Sequence, residues 1–142
     1  NSGVMIHSQA PETMPLIPKP MDKNLDLLEH FPVSVECQLL GDAVTANACQ
    51  IITVIDVNGE KAGERNIYSN SPNYNPVKWV QLEIVVLADS IVHHIVEGDT
   101  VLTYSNLRNE DGTPLKKGYI ALQAESQPVE FKNIKIMDLS QY

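Results

Sequence analysis

Two pairs of polar residues, each spaced two apart, are the strongest candidates for chemistry in this sequence. Glu36 and Gln38 form one pair, and Gln123 and Glu125 form the other. Side chains two apart on a β-strand share a face, so each pair presents a carboxylate and an amide to one side. Carboxylates act as general bases, and amides bind hydroxyl groups. The same alternation is also what any half-exposed sheet shows.

His7 is a further candidate, because histidine titrates near neutral pH and serves as a base or as a metal ligand. Alternation places it on the same side of its strand as Met5. The other histidines are weaker candidates for a site. His93 and His94 are adjacent, so their side chains point to opposite faces of a strand, and His30 lies in a loop where it could cap a cleft.

The elements that must position these residues are strands. Apolar alternation or an apolar run predicts strands at residues 1–9, 33–40, 48–57, 79–88, 91–96 and 100–104. The stretch from Gly118 to Met137 predicts a closing hairpin, with Pro128 starting its second strand and a β-bulge near Lys132. About eight short strands with turn residues between them indicate an all-β antiparallel sandwich or jelly roll.

Residues 10–32 interrupt this pattern with five prolines, which exclude a long helix or a central strand. We interpret the segment as a long excursion from the sheet, with a short helical turn at 22–30. Loops of this length within a compact domain are usually functional.

Composition limits the function classes. The chain has 142 residues, enough for one domain, and 43% of them are hydrophobic, so it can bury a core. Ten basic residues against eighteen acidic ones give a net charge of −8, which argues against nucleic-acid binding. The longest apolar run is too short to span a bilayer. These features suit a protein that handles neutral or metal-bound ligands.

The two cysteines, Cys37 and Cys49, are too few for a zinc site of their own. Two separate buried thiols are one interpretation, and a disulfide in an exported protein is the alternative. The sequence leaves both open.

Several motifs together carry a family resemblance. Gly118 opens a glycine-hydrophobe-x-Leu-Gln run, and Pro128 opens a Pro-Val-x-Phe-basic-Asn-Ile run. The other motifs are Asn1-Ser2-Gly3-Val4, the 35–40 strand with Glu and Gln two apart, Lys78-Trp79-Val80, and the glycine-turn hairpin at 94–101. At these positions the chain resembles the 3-keto-disaccharide hydrolase domain family. Two departures are Ala124-Glu125-Ser126, where many relatives have a polar residue, histidine and glycine, and His7, where they often have arginine.

The resemblance implies a concanavalin A-like β-sandwich, with residues 1–142 forming a single domain. The family's asparagine-serine-glycine strand lies well inside its domain, so we expect strands that lead the family domain to be missing before Asn1. An extracytoplasmic location and a glycoside or oligosaccharide as partner are also implied. Unpaired sheet edges would invite a second chain, so a dimer is an open alternative.

The activity implied is cleavage of glycosides whose C3 hydroxyl has been oxidised to a ketone. The ketone acidifies the C2 proton, a base removes it, and the glycosidic oxygen leaves from C1. In this interpretation Glu36 and His7 serve as base or as ligands of a divalent metal ion that stabilises the enolate. Gln38, Gln123 and Glu125 bind ring hydroxyls. Trp79 stacks on a sugar face, although an aromatic at a strand start is more often part of the core.

Two other functions fit the same sequence. One is a lectin-like glycan-binding module without catalysis, which the missing histidine after the Leu-Gln pair favours. The other is a structural or partner-binding domain of a larger surface protein. Turnover of a 3-keto-glycoside, saturable sugar binding without turnover, or a stable protein partner would distinguish the three.

Overall fold

The computed structural model describes residues 1–14, 31–75, 77–125 and 127–140. These ranges form two five-stranded sheets packed as a sandwich, which confirms the predicted all-β class. In chain order the strands are β1 (Ser2–Ser8), β2 (Ser34–Leu39), β3 (Asn47–Ile51), β4 (Thr53–Val57), β5 (Glu60–Lys61), β6 (Asn66–Ile67), β7 (Leu82–Leu87), β8 (Ile91–Val96), β9 (Asp99–Asn109) and β10 (Tyr119–Ala124). A 3-10 turn at Pro11–Thr13 lies at the start of the proline-rich segment.

The first sheet has the order β10-β1-β2-β3-β6, and the second has the order β5-β4-β9-β8-β7. All strand pairs in both sheets are antiparallel. The first and last strands thus meet in the first sheet, where β10 pairs with β1. No helix in the described ranges has the length and apolar character needed to cross a membrane.

The main core lies between the two sheets. Ile6 and Val35 of the first sheet pack with Ile55, Val92 and Tyr104 of the second, and each side chain is at most 4% exposed. Burial of one such side chain contributes about 1.5–3 kcal/mol, so this layer fixes which face of each strand points inward. The register then follows, since a slip of one residue would expose the whole apolar set.

The outer face of the first sheet carries a smaller apolar cluster of its own. Met5, Cys49 and Ile51 are buried there, with Phe31 and Ala121 packed against them. This face therefore combines an apolar patch with the polar residues that alternate with the inward-facing ones.

The predicted strand at 48–57 is two strands, which lie in different sheets. β3 belongs to the first sheet and β4 to the second, and Ile52 between them has a φ of +56°. A β-branched residue rarely adopts this left-handed conformation, so the sequence carries no signal for the crossover. An uninterrupted apolar run looks the same whether it continues straight or changes sheet.

The prediction of a second strand in the closing hairpin is wrong. β10 forms as expected, but residues 127–140 contain no strand. Ile134 and Ile136 are 64% and 79% exposed, and Asn133, near the predicted bulge, has a φ of +55°. Alternation indicates that a segment suits a sheet face, but a strand also needs a partner edge.

The two cysteines are free and lie on opposite faces of the first sheet. Cys37 on β2 pairs with Ala48 on β3 and packs between the sheets. Cys49 directly follows Ala48 on β3, so its side chain points to the outer face. The interpretation as two separate buried thiols therefore agrees with the fold. The helical turn expected at 22–30, together with His30, lies outside the described residues.

Candidate active site

A cavity of about 160 Å³ opens on the outer face of the first sheet. This is close to the size of a cavity that accommodates a benzene ring, so one ring-sized ligand fits. Its walls come from β2, β3, β6 and β10 and from residues just outside the strands of the first sheet. The lining residues are Asn1, Phe31, Glu36, Gln38, Cys49, Arg65, Asn66, Gln123 and Glu125.

Strand register brings the two polar pairs together. Gly3 on β1 pairs with Gln38 on one side and with Gln123 on the other. Laterally paired residues share a face, so the two amides flank Gly3 in one row. Because Gly3 has no side chain, the row has a gap at its centre. The expectation that the central strand and the closing strand contribute to one groove therefore agrees with the structure.

The Glu36 side chain extends from the neighbouring row into this gap. A methyl group built on Gly3 would lie 2.8 Å from Glu36 Cγ and 3.0 Å from its carboxyl carbon, and closer still to Oε1. Such contacts are too short for a real side chain, so glycine at position 3 is what admits the carboxylate. The Asn-Ser-Gly motif thus has a packing reason at this site.

Glu36 is held in a state that suits a general base. Only 3% of its surface is exposed, and burial raises the pKa of its carboxyl from 4.5 to about 7. Repulsion from Glu125 raises the pKa further, whereas Arg65 and the Cys49 thiol act in the opposite direction. A base with a pKa near the working pH is the most effective in proton abstraction.

Three buried oxygen atoms that border the cavity have no hydrogen-bond partner among the described residues. They are Glu36 Oε1, Gln123 Oε1 and Asn1 Oδ1. A buried acceptor without a donor costs about 1–3 kcal/mol, so these atoms favour a ligand rich in hydroxyl donors. The Asn1 amide nitrogen donates to Glu125 Oε2, which orients this carboxylate at the rim.

Several cavity residues were not predicted from the sequence. Cys49 was considered only for its redox state, while Phe31, Arg65 and Asn66 were not considered as site residues. Register supplies the missing signal, because Cys49 pairs with Glu36 on one side and with Asn66 on the other. That signal needed the pairing of β6, a two-residue strand that is too short for alternation to reveal.

His7 does not lie in this cavity, and the expected shared face with Met5 is wrong. A register shift interrupts β1 between Met5 and Ser8, and His7 has a φ of +50°. This bulge turns the imidazole toward the second sheet, where Nε2 lies 3.0 Å from the Ala88 carbonyl oxygen. Gly118 packs against the same bulge, so closely that a methyl group on it would lie 2.8 Å from the His7 carbonyl oxygen.

The proposed metal ligands, His7 and Glu36, are therefore not brought together. Within the described ranges, no group of three or more His, Cys, Asp or Glu side chains has the arrangement of a metal site. The donors that the described residues place around Glu36 do not fit the predicted divalent metal.

Trp79 is also absent from the cavity walls. β7 begins only at Leu82, and the Trp79 ring is 54% exposed, with the Lys132 ammonium 3.9 Å from its centre. The ring makes a cation–π contact rather than a platform at this site. The prediction of sugar stacking by Trp79 is wrong for this cavity.

His93 and His94 lie on opposite faces of β8, as their adjacency predicts. His94 is fully buried in the core, with Nδ1 2.8 Å from the Ala46 carbonyl oxygen and Nε2 3.0 Å from the Tyr104 hydroxyl. Burial lowers the pKa of His94 to about 4, although the bond to Ala46 acts in the opposite direction. This histidine is a neutral cross-link between the sheets, and not part of the cavity.

Comparison with known proteins agrees with the motifs. The chain matches the family model described as the 3-keto-alpha-glucoside-1,2-lyase-like domain over residues 1–137. No curated protein and no solved structure matches the chain. The match covers 137 of 142 residues, and the two-sheet sandwich is consistent with a concanavalin A-like fold. The chain therefore belongs to the 3-keto-alpha-glucoside-1,2-lyase-like domain family.

Proposed function

We propose that this protein cleaves 3-keto-glycosides by elimination, with Glu36 as the base that removes the C2 proton. Family membership supports a carbohydrate-active role. One observation carries the finer assignment: the Glu36 carboxylate has an unpartnered oxygen and a pKa of about 7, and it borders a ring-sized cavity. An extracytoplasmic location belongs to the same proposal, and a carbohydrate substrate supports it.

The reaction balances without an oxidant or reductant. Glu36 takes the C2 proton, and the electron pair of the C2–H bond forms a C2–C3 double bond while the C3 oxygen becomes an oxyanion. When the C3 ketone forms again, a C1–C2 double bond appears and the C1–oxygen bond breaks. The leaving oxygen then takes a proton from the protonated Glu36 or from water. Addition of water to the product would complete a net hydrolysis.

The amides and Glu125 bind the ring in this proposal. Gln38 and Gln123 flank the gap at Gly3, so their side chains reach opposite edges of a ring in the cavity. The free Gln123 Oε1 accepts a hydrogen bond from a hydroxyl group, and the amide nitrogens donate to ring oxygens. Glu125 at the rim accepts from a hydroxyl and raises the pKa of Glu36.

Turnover of a 3-keto-glucoside by the wild-type protein and by Glu36→Gln tests the assignment. The amide cannot take a proton, so we expect the variant to lose about 10²–10⁴-fold in kcat with the fold intact. In the wild type, kcat/KM should fall on the acid side of about pH 7, where Glu36 becomes protonated.

Glu60→Gln is the matched control, because Glu60 is an exposed carboxylate in the second sheet. It should turn over the substrate as the wild type does. Full activity in Glu36→Gln would exclude the proposed base.

A glycan-binding module is the second candidate, and the departure at Ala124-Glu125-Ser126 from the family pattern favours it. The unpartnered acceptors in the cavity suit hydroxyl binding with or without chemistry. Saturable binding of a 3-keto-glycoside, with no cleavage product after prolonged incubation at pH 8, would support this function over the enzyme.

A further inference from the structure

We infer that Arg65 is a second catalytic residue, which stabilises the oxyanion that forms on the C3 oxygen when Glu36 removes the C2 proton. This inference rests on the proposed function. The cavity that would hold the enolate contains two carboxylates, Glu36 and Glu125. Proton abstraction neutralises Glu36 and moves its negative charge to the C3 oxygen, while Glu125 remains charged in the same cavity. The oxyanion beside Glu125 is unfavourable unless a cation or strong donors face it.

Arg65 has the one positively charged side chain among the described residues that line the cavity. Its planar guanidinium carries a positive charge and five N–H donors. The remaining described lining residues are carboxylates, amides, a thiol and a phenyl ring. Arg65 therefore supplies both the charge and the donors that an enolate oxygen needs.

The backbone of Arg65 is fixed by Gln50, which uses its main chain and its side chain. Gln50 N–H donates to the Arg65 carbonyl oxygen over 2.9 Å, and its side-chain nitrogen donates to the Glu64 carbonyl oxygen over 2.6 Å. Gln50 Oε1 accepts a hydrogen bond from Ile55 N–H over 2.8 Å, so the Gln50 side chain is also held by the backbone of β4. The exposed Arg65 thus projects from an anchored backbone.

The position of Arg65 relative to Glu36 follows from the sheet. Arg65 directly precedes Asn66, Asn66 pairs with Cys49, and Cys49 pairs with Glu36. Burial raises the pKa of both the Cys49 thiol and the Glu36 carboxyl, and the charge of the Arg65 guanidinium acts in the opposite direction on both. Base and cation thus line one cavity on the same face of the sheet, so both are available to a ligand ring bound there.

The experiment isolates proton abstraction from cleavage. The probe is a 3-keto sugar with hydrogen in place of the leaving oxygen at C1, and the readout is exchange of its C2 proton for deuterium, followed by NMR. Arg65→Ala should slow the exchange at saturating probe by about 10²–10³-fold, comparable to the loss of an oxyanion donor. Arg65→Lys should lie between this variant and the wild type, because it keeps the charge but loses the planar fork.

The pH profile separates a catalytic role from a structural one. Loss of the cation removes the influence that lowers the pKa of Glu36, so the acid limb should move to higher pH in Arg65→Ala. Arg108→Ala is the control, because Arg108 pairs with Asp56 in the second sheet over 2.8 Å. It should exchange the probe at the wild-type rate with an unchanged acid limb.

The possible results separate the two roles. Wild-type exchange rates and an unchanged acid limb in Arg65→Ala would overturn the role of Arg65 and leave the proposed function standing. A wild-type protein that neither exchanges the C2 proton nor cleaves 3-keto-glycosides would overturn both. Slower exchange with a displaced acid limb in Arg65→Ala, but not in Arg108→Ala, would establish the inference.

Discussion

At the scale of single residues, the site depends on one side chain that is absent. Gly3 lies between Gln38 and Gln123, and the Glu36 carboxylate occupies the space that any other residue at position 3 would fill. The clash would involve the end of a flexible side chain rather than a backbone. The chain can therefore keep its fold when Gly3 is replaced, but the Glu36 carboxylate must move to another position.

Gly3→Ala should move the Glu36 carboxylate and shift its pKa, with little effect on the stability of the fold. The added methyl displaces the carboxylate toward the open cavity and into contact with more water, so the pKa of Glu36 should fall from about 7 toward its ordinary value. Carbon-13 NMR of the Glu36 carboxyl measures this directly, and the acid limb of turnover should move with it.

Gly63→Ala is the matched control, because a methyl group there meets nothing within 4 Å. The pKa of Glu36 should be the same in this variant as in the wild type. A Glu36 pKa that stays near 7 in Gly3→Ala would show that the glycine does not position the carboxylate.

Residue types and parity predicted Glu36, Gln38, Gln123 and Glu125 as neighbours, since both pairs lie on strands with clear alternation. His7 failed because a bulge reverses parity, and the residues beside it, Ile6 and Ser8, include no glycine or proline to mark the break. Arg65 was missed because it belongs to a polar stretch without alternation, where only pairing shows which side chains reach the sheet face.

At the scale of elements, the contact between β1 and β10 determines whether Gln123 and Glu125 reach the site. Gly118, just before β10, packs against the backbone of His7 at the bulge in β1. A backbone cannot move aside as a side chain can. The approach of β10 to β1 thus depends on the absence of a side chain at position 118.

Gly118→Ala should force β10 away from β1 and lower both stability and activity. Overpacking against a fixed neighbour typically costs about 1–3 kcal/mol, which urea denaturation would detect. KM for a 3-keto-glycoside should rise more than kcat falls, because the displaced strand carries ring-binding residues while Glu36 stays on β2. Unchanged stability and KM would contradict this account of the β1–β10 contact.

The strands whose partners lie close in sequence were the most predictable. β8 and β9 form a hairpin about a Glu97-Gly98 turn, and β8 has the bounds that the alternation predicts. The β3–β4 crossover and the segment after Pro128 were mispredicted for a shared reason. The structure that each segment adopts depends on which sheet edge is available to pair with it, and an apolar pattern carries no information about that edge.

At the scale of the whole molecule, two buried groups make stability depend on pH in opposite directions. Glu36 has a pKa of about 7 in the folded protein against 4.5 as an ordinary carboxyl, so the folded state binds more protons between these values. Its contribution is therefore lost as pH rises from 4.5 to 7. His94 has a pKa of about 4 against 6.5, so the unfolded state binds more protons, and its contribution is lost as pH falls from 6.5 to 4.

Glu36→Gln should remove one of the two opposing contributions, so that the pH dependence of stability caused by His94 can be measured. At pH 8 the variant lacks the buried charge of Glu36, so its free energy of unfolding should exceed that of the wild type. The upper limit of the difference is about 3 kcal/mol. Water in the cavity screens the charge and reduces the expected difference to about 2 kcal/mol. At pH 4 the two proteins should be equally stable, because Glu36 is protonated there. The variant alone should then lose stability steadily between pH 6.5 and pH 4, as His94 acquires a proton on unfolding.

Urea denaturation of both proteins from pH 4 to pH 8 measures the difference, with Glu60→Gln as the exposed-carboxylate control. A variant that is equally stable to the wild type at pH 8 would mean that Glu36 carries no burial penalty, and its role as a tuned base would lose its physical basis. If the variant is more stable than the wild type at pH 8 but equally stable at pH 4, Glu36 carries a burial penalty in its charged form. The fold then tolerates an unfavourable charge at the point where the reaction needs a base, a cost that stable proteins commonly bear at active sites.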